Sequence, residues 1–147
     1  MSATDVLQGP WIRILELEKN VWLGLSGEKL AVGDLLGPKR EVDSTNPIGL
    51  LPCLERSYGE ILADLRARET DLEMAQGEIF NLVPLDAIPT AAVASKIDYW
   101  IQLALNWLDQ MPDSSVVREL LRAICNETSA TQRARHRAKR LLSRIGK

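Results

Sequence analysis

Between residues 51 and 82 the apolar positions recur with a regular beat. Leu51, Leu54, Tyr58, Ile61, Leu65, Arg68, Leu72, Ala75, Ile79 and Leu82 are spaced alternately three and four apart, and only Arg68 interrupts the apolar series. Such an alternation predicts a long heptad-patterned helix, or a helix pair, with one continuous stripe. Pro84 and Pro89 bound it, and Gly59 and Gly77 weaken it slightly. With Leu51 at position a, the e positions are Glu55, Leu62, Glu69 and Gln76, and the g positions are Ser57, Asp64, Asp71 and Glu78. A parallel dimer through 51–82 would set Asp64 against Glu69 of its partner, so that pairing is disfavoured. A homo-oligomer built another way stays open.

Residues 90–111 predict a second strong helix, with Thr90 as N-cap. Ser95, Asp98, Gln102, Asn106 and Asp109 make one narrow polar stripe, and most other positions are apolar. A helix apolar over most of its circumference belongs at the centre of a bundle. Met111–Ser114 then ends it and caps a shorter amphipathic helix carrying Val116, Val117, Leu120, Leu121 and Ile124. A closing helix runs to Ile145, so the chain ends in a basic helical hairpin.

The first 47 residues are less regular. After Pro10, the residues Trp11, Ile14, Leu15, Val21, Trp22 and Leu25 fall near one helical face. Val21, Leu23 and Leu25 also alternate, so a hairpin turning at Lys19–Asn20 is the rival; helix is favoured. Leu30–Leu36 predicts a short helix stopped by Gly37–Pro38, and a polar loop follows with Asn46 capping a helix that starts at Pro47. The predicted fold class is therefore all-α: a single-domain bundle of four to five helices over 1–147, with 48–147 as its helical core.

The 147 residues carry 18 Lys and Arg against 20 Asp and Glu, with hydrophobic residues at 46% and charged residues at 26%. That balance is ordinary for a globular protein. No uncharged stretch approaches the ~20 apolar residues of a membrane span, and MSATDVLQGP lacks the basic and apolar regions of a secretory leader. Cys53 and Cys125 are too few for a disulfide framework. An intracellular, cytoplasmic location is expected, with the nucleus left open.

Charge is distributed unevenly. Residues 115–147 hold nine basic and two acidic residues, a net of +7, which leaves 1–114 at −9. On a helical wheel, Ala134, Ala138, Leu141, Leu142 and Ile145 gather in one arc, which argues that the last helix packs on the protein. Arg133, Arg137, Arg140 and Arg144 form a second stripe about 16 Å long. Guanidinium forks match phosphate oxygens, so the stripe is a candidate for nucleic acid or an acidic partner. No aromatic residue is interleaved for base stacking, and pairing with the chain's own acidic 55–78 segment is the preferred expectation.

Two segments carry local resemblances. Residues 112–146, with Pro112, paired leucines and the series Arg135, Ala138, Leu142, Ile145 and Gly146, resemble one HEAT-type repeat, which implies a helical scaffold that binds proteins. VPLDAIP (83–89) resembles the Pro-x-Asp-x-Ile-Pro signature of the YkvA-like domains of unknown function, although the Gly and paired acid that follow there are missing here. A Pro-bounded connection with Asp86 as turn former accounts for the same residues.

Site chemistry is sparse. His136 is the only histidine and lies among arginines. Glu55, Glu60, Asp64, Glu69 and Glu73 lack the Glu-x-x-His pairs of di-iron bundles, and GLSGEKL (24–30) lacks the Gly-Lys-Ser/Thr ending of a phosphate loop. The sequence predicts no catalytic residue, no metal site and no cofactor. The leading expectation is a non-catalytic protein-interaction module: an adaptor, inhibitor or assembly subunit. Trp100 and Trp107 are expected in the core, and Trp11 and Trp22 at the contact surface, since tryptophan is enriched at interface hot spots. A small nucleic-acid-binding protein using the arginine stripe is the alternative.

Overall fold

A computed structural model describes residues 10–145. It corrects the all-α expectation: a four-stranded antiparallel sheet precedes the helices, so the fold is mixed α/β. The strands are β1 (Trp11–Glu18), β2 (Val21–Ser26), β3 (Lys29–Gly33) and β4 (Pro38–Glu41), paired in the order β1-β2-β3-β4. A 3-10 segment, Ile48–Glu55, follows. The α-helices are α1 (Tyr58–Asp71), α2 (Glu78–Leu82), α3 (Ala87–Ala94), α4 (Asp98–Gln110), α5 (Ser115–Cys125) and α6 (Gln132–Ile145).

The expected helix over 11–25 is a hairpin. Its register shifts between Arg13 and Leu15 and again between Glu16 and Glu18, leaving Ile14 and Leu17 as extra residues. Each such bulge breaks the period of two. Ile14 and Leu15 are consecutive yet both buried, and that pair is what imitates a helical face. The hairpin turns at Lys19–Asn20, where Asn20 takes a left-handed φ of 65°, a region asparagine enters more readily than most side chains. Gly24 on β2 has no room for a side chain: a Cβ there would lie 2.5 Å from the Ile12 carbonyl and 2.7 Å from the Trp11 ring. The segment expected as a helix at 30–36 is β3 and the turn after it.

The long heptad helix of 51–82 is also corrected. Its beat runs through the 3-10 segment with Pro52 inside it, then α1, a turn, and α2. Ser57 caps α1 by accepting from the Glu60 N–H at 3.1 Å. At the far end Glu73 has a φ of 56° and the Met74 N–H donates to the Glu69 carbonyl at 2.8 Å, which turns the chain away. The segment is therefore not one continuous helix. Leu51, Leu54, Tyr58, Ile61, Leu65 and Ile79 are nonetheless all buried.

The expected 90–111 helix is two helices. Ser95 ends α3, Lys96 takes a φ of 59°, and Ile97 is extended before α4. Thr90 is not a cap; its hydroxyl donates to the Asp86 carbonyl at 2.8 Å from inside α3. Likewise Asn46 pairs with Asp43 in an isolated bridge rather than capping a helix. The basic hairpin is present as α5 and α6, with Ser114 accepting from the Val117 N–H at 3.2 Å.

One hydrophobic cluster joins the inward side of the sheet (Leu15, Leu23, Leu25) to the helices. The 3-10 segment and α1 pack on β1, and α4 packs against the 3-10 segment, α1, α3, α5 and α6. Trp107 of α4 is fully buried, edge-on to Tyr58 with ring centroids 5.4 Å apart. Its indole N–H donates to the Arg56 carbonyl at 2.8 Å, satisfying the one polar atom it takes into the core. No helix of the described residues is long and apolar enough to cross a membrane.

Candidate functional site

The β3–β4 connection displays the most exposed large apolar side chain of the described residues. Leu36 is 92% exposed and its neighbour Leu35 is 57% exposed. The turn beneath them is firmly built. One Asp34 carboxylate oxygen accepts from the Leu36 N–H at 2.8 Å and the Gly37 N–H at 3.2 Å, while the Asp34 N–H donates to the Gly37 carbonyl at 3.1 Å. These backbone donors, chiefly that of Leu36, hold the Asp34 carboxyl below its ordinary pKa. Lys39 lies 3.9 Å from the same side chain. Two adjacent leucines are thus presented to solvent on a hydrogen-bonded turn.

Trp11 explains part of that rigidity. It was expected as a contact residue, and it is instead a half-buried strut: its ring lies over Gly24 and its indole N–H donates to the Asp34 carbonyl at 2.8 Å. Trp22 is also half-buried, with the Arg13 guanidinium 5.0 Å above its ring. The leucine pair is masked in the sequence because Leu30–Leu36 reads as a short helix. Its signal was the string Asp34-Leu-Leu-Gly37-Pro38, an Asp turn former and a Gly-Pro stop with apolar residues between them.

The arginine stripe lies on α6, whose Ala134, Ala138 and Leu141 are buried. Its acidic partner is α4 rather than the 55–78 segment. Arg137 donates to the Asn106 side-chain oxygen at 2.6 Å and lies 3.7 Å from Asp109, which also pairs with Arg144. Arg133 and Arg140 are exposed and make no ion pair among the described residues. The stripe is therefore split into two tethered and two outward guanidinium groups.

Several other polar and charged side chains brace the fold. Glu69, an e position of the heptad reading, is buried at 3% exposure. Its carboxylate accepts from the backbone N–H groups of Gly77 (2.9 Å), Ile79 (2.7 Å) and Phe80 (3.2 Å), so it caps α2 from across the turn. Those donors, Gly77 first, lower its pKa. Arg56 pairs with Glu60 and Asp64, and Tyr99 donates its hydroxyl to Glu55 at 2.7 Å. Cys53 is a buried free thiol pushed up to about 12 by desolvation, and Cys125 is free and half-buried. His136 is exposed on α6. No group of three or more His, Cys, Asp or Glu among the described residues is placed to hold a metal ion.

VPLDAIP forms the corner between α2 and α3. Val83, Leu85, Ile88 and Pro89 are buried, and the Ala87 N–H closes the turn onto the Pro84 carbonyl at 3.0 Å. A shallow groove of about 500 Å³ runs beside it, lined by Tyr58, Phe80, Leu85, Thr90 and Val116. Within 112–145, the segment with the HEAT-type resemblance, α5 and α6 form a helix pair, while Gly146 and the opening MSATDVLQG lie outside the described residues. No family model, curated protein or solved structure matches this chain.

Proposed function

We propose that the chain is a non-catalytic protein-interaction module, an adaptor, inhibitor or assembly subunit acting in the cytoplasm, that seats Leu35 and Leu36 in an apolar recess of a protein partner. The observation that carries this reading is the 92% exposure of Leu36 on a turn fixed by Asp34 and braced by Trp11. A contact group already held in place loses less conformational entropy on binding. Burying what the two leucines still expose supplies about 2–4 kcal/mol before the costs of association. The tip is therefore an anchor within a larger contact, and neighbouring Lys39 and Arg40 would lie at its rim. The test is retrieval from lysate with three immobilised chains: wild type, Leu35→Asp with Leu36→Asp, and Arg133→Glu with Arg140→Glu. A protein retained by the first and third but not the second supports the reading. Equal retention by all three would remove it.

Nucleic-acid binding through Arg133, Arg137, Arg140 and Arg144 is the second reading, favoured by the outward, unpaired Arg133 and Arg140. The internal pairs of Arg137 and Arg144 with Asp109 argue against it, because phosphate contacts through all four would compete with that carboxylate. Binding of a generic oligonucleotide at about 50 mM salt is expected to be weak and insensitive to Arg133→Glu with Arg140→Glu. Tight binding with a steep salt slope would reverse the order of the two readings.

A further inference from the structure

The exposed face of α4 lies between flanks of opposite charge. At 100° per residue, Gln102 and Asn106 occupy the middle of that face, Asp98 and Asp109 one border, and Tyr99 and Gln110 the other. Helix α6 follows the first border. Asp98 accepts from the Thr131 N–H at 2.8 Å near the start of α4, and Asp109 pairs with Arg144 near its end. The chain entering α1 follows the second border in the same direction. Tyr99 donates to Glu55 near the start of α4, and Gln110 accepts from the Gly59 N–H at 3.1 Å near its end. Helix α6 contains no acidic residue. Residues 55–64 carry Glu55, Glu60 and Asp64 against the single cation Arg56.

We infer that this face binds a second copy of the chain, through a two-fold axis running along α4. Rotation about that direction exchanges left and right, so each basic flank meets the acidic flank of the other copy. A two-fold across α4 would instead set acid on acid and base on base. Because both flanks run in the same direction as α4, the exchange preserves height along the helix. Arg133 then faces Glu55 of the second copy, and Arg140 faces Glu60. The pairs within each copy to Asp109 stay intact, which an external polyanion spanning the stripe would not allow. Tyr99, 53% exposed at the border of the face, supplies an amphipathic side chain for the contact. The assembly is closed and isologous, and it does not depend on the Leu35–Leu36 tip.

Exposed ion pairs are individually weak and screened by salt, so salt is the diagnostic variable. Sedimentation equilibrium of the full chain at about 20 mM and about 500 mM salt should show self-association weakened on the order of tenfold at high salt. Arg133→Glu with Arg140→Glu should be monomeric, and so should Glu55→Lys with Glu60→Lys. An equimolar mixture of the two variants should restore a dimer containing one of each. Arg133 and Arg140 have no partner in the described fold, so the first variant tests the contact without removing a folding interaction; circular dichroism checks both. A wild type monomeric at low salt overturns the inference, whether or not it binds an oligonucleotide. So does a mixture of folded variants that fails to associate.

Discussion

The indole N–H of Trp11 donates to the carbonyl of Asp34 at 2.8 Å, joining the edge strand β1 to the β3–β4 turn across 23 positions of sequence. Trp11→Phe keeps an aromatic ring near Gly24 and removes that donor. It should lower unfolding stability by about 1 kcal/mol. Amide exchange at Leu36 and Gly37, the two backbone donors to Asp34, should accelerate relative to the sheet. Unchanged exchange at both would show that the turn holds itself without the strut.

Glu69 makes a signed prediction about pH. Its folded pKa lies below the ordinary 4.5 because its carboxylate accepts backbone N–H groups. The stabilisation is therefore fully present above the unfolded value and is lost as pH falls through the lowered folded value. Asp34, Asp43, Asp113 and Glu127 are shifted in the same direction, so the wild type should weaken throughout that acid range. Glu69→Gln should be less stable than wild type at pH 7, and the gap between them should close toward pH 3. Parallel curves of denaturant midpoint against pH would contradict this account.

The two thiols should separate kinetically. Cys53 is 1% exposed with its pKa raised to about 12, so almost no thiolate forms near neutrality. At pH 8 a disulfide reagent should titrate Cys125 first, and Cys53 only on the timescale of unfolding. Two equally fast thiols would mean that the 3-10 segment opens readily.

Glu73 occupies left-handed backbone space at the end of α1. Relief of the Cβ clash by Glu73→Gly should stabilise the protein by about 1 kcal/mol, partly offset by the greater freedom of glycine when unfolded. Urea denaturation measures the difference. A loss of stability would place a larger role on the Glu73 side chain than its exposure indicates.

The sequence made burial more legible than continuity. Leu54, Ile61, Leu65 and Ile79 belong to one beat and to one core, yet the beat passes through a 3-10 segment and a turn that preserve which residues face inward. Nothing in the apolar spacing marks Leu72–Gly77 as a turn, because the deciding interaction, Glu69 to the amides of α2, is tertiary. The sheet was obscured by the bulges at Ile14 and Leu17. Helices α5 and α6 were legible because Ser114 caps one and the apolar arc of the other is local. For the candidate surfaces, the arginine stripe was visible, but its division by Asp109 depends on α4 lying alongside. Trp11 stands out by residue type, which cannot tell a contact residue from a structural strut.

The four strands are joined in sequence order, so each pairs with a neighbour only a few residues away. Such a meander can assemble from local hairpins as soon as it leaves the ribosome. The cover for its apolar side, the 3-10 segment and α1, is synthesised afterwards, and Arg68 reaches the Arg13 carbonyl of β1 only after 55 further positions. During that interval Leu15, Leu23 and Leu25 would lie open to water. Translation speed across residues 48–71 would then set how long the nascent sheet is exposed to chaperones and to other unfinished chains.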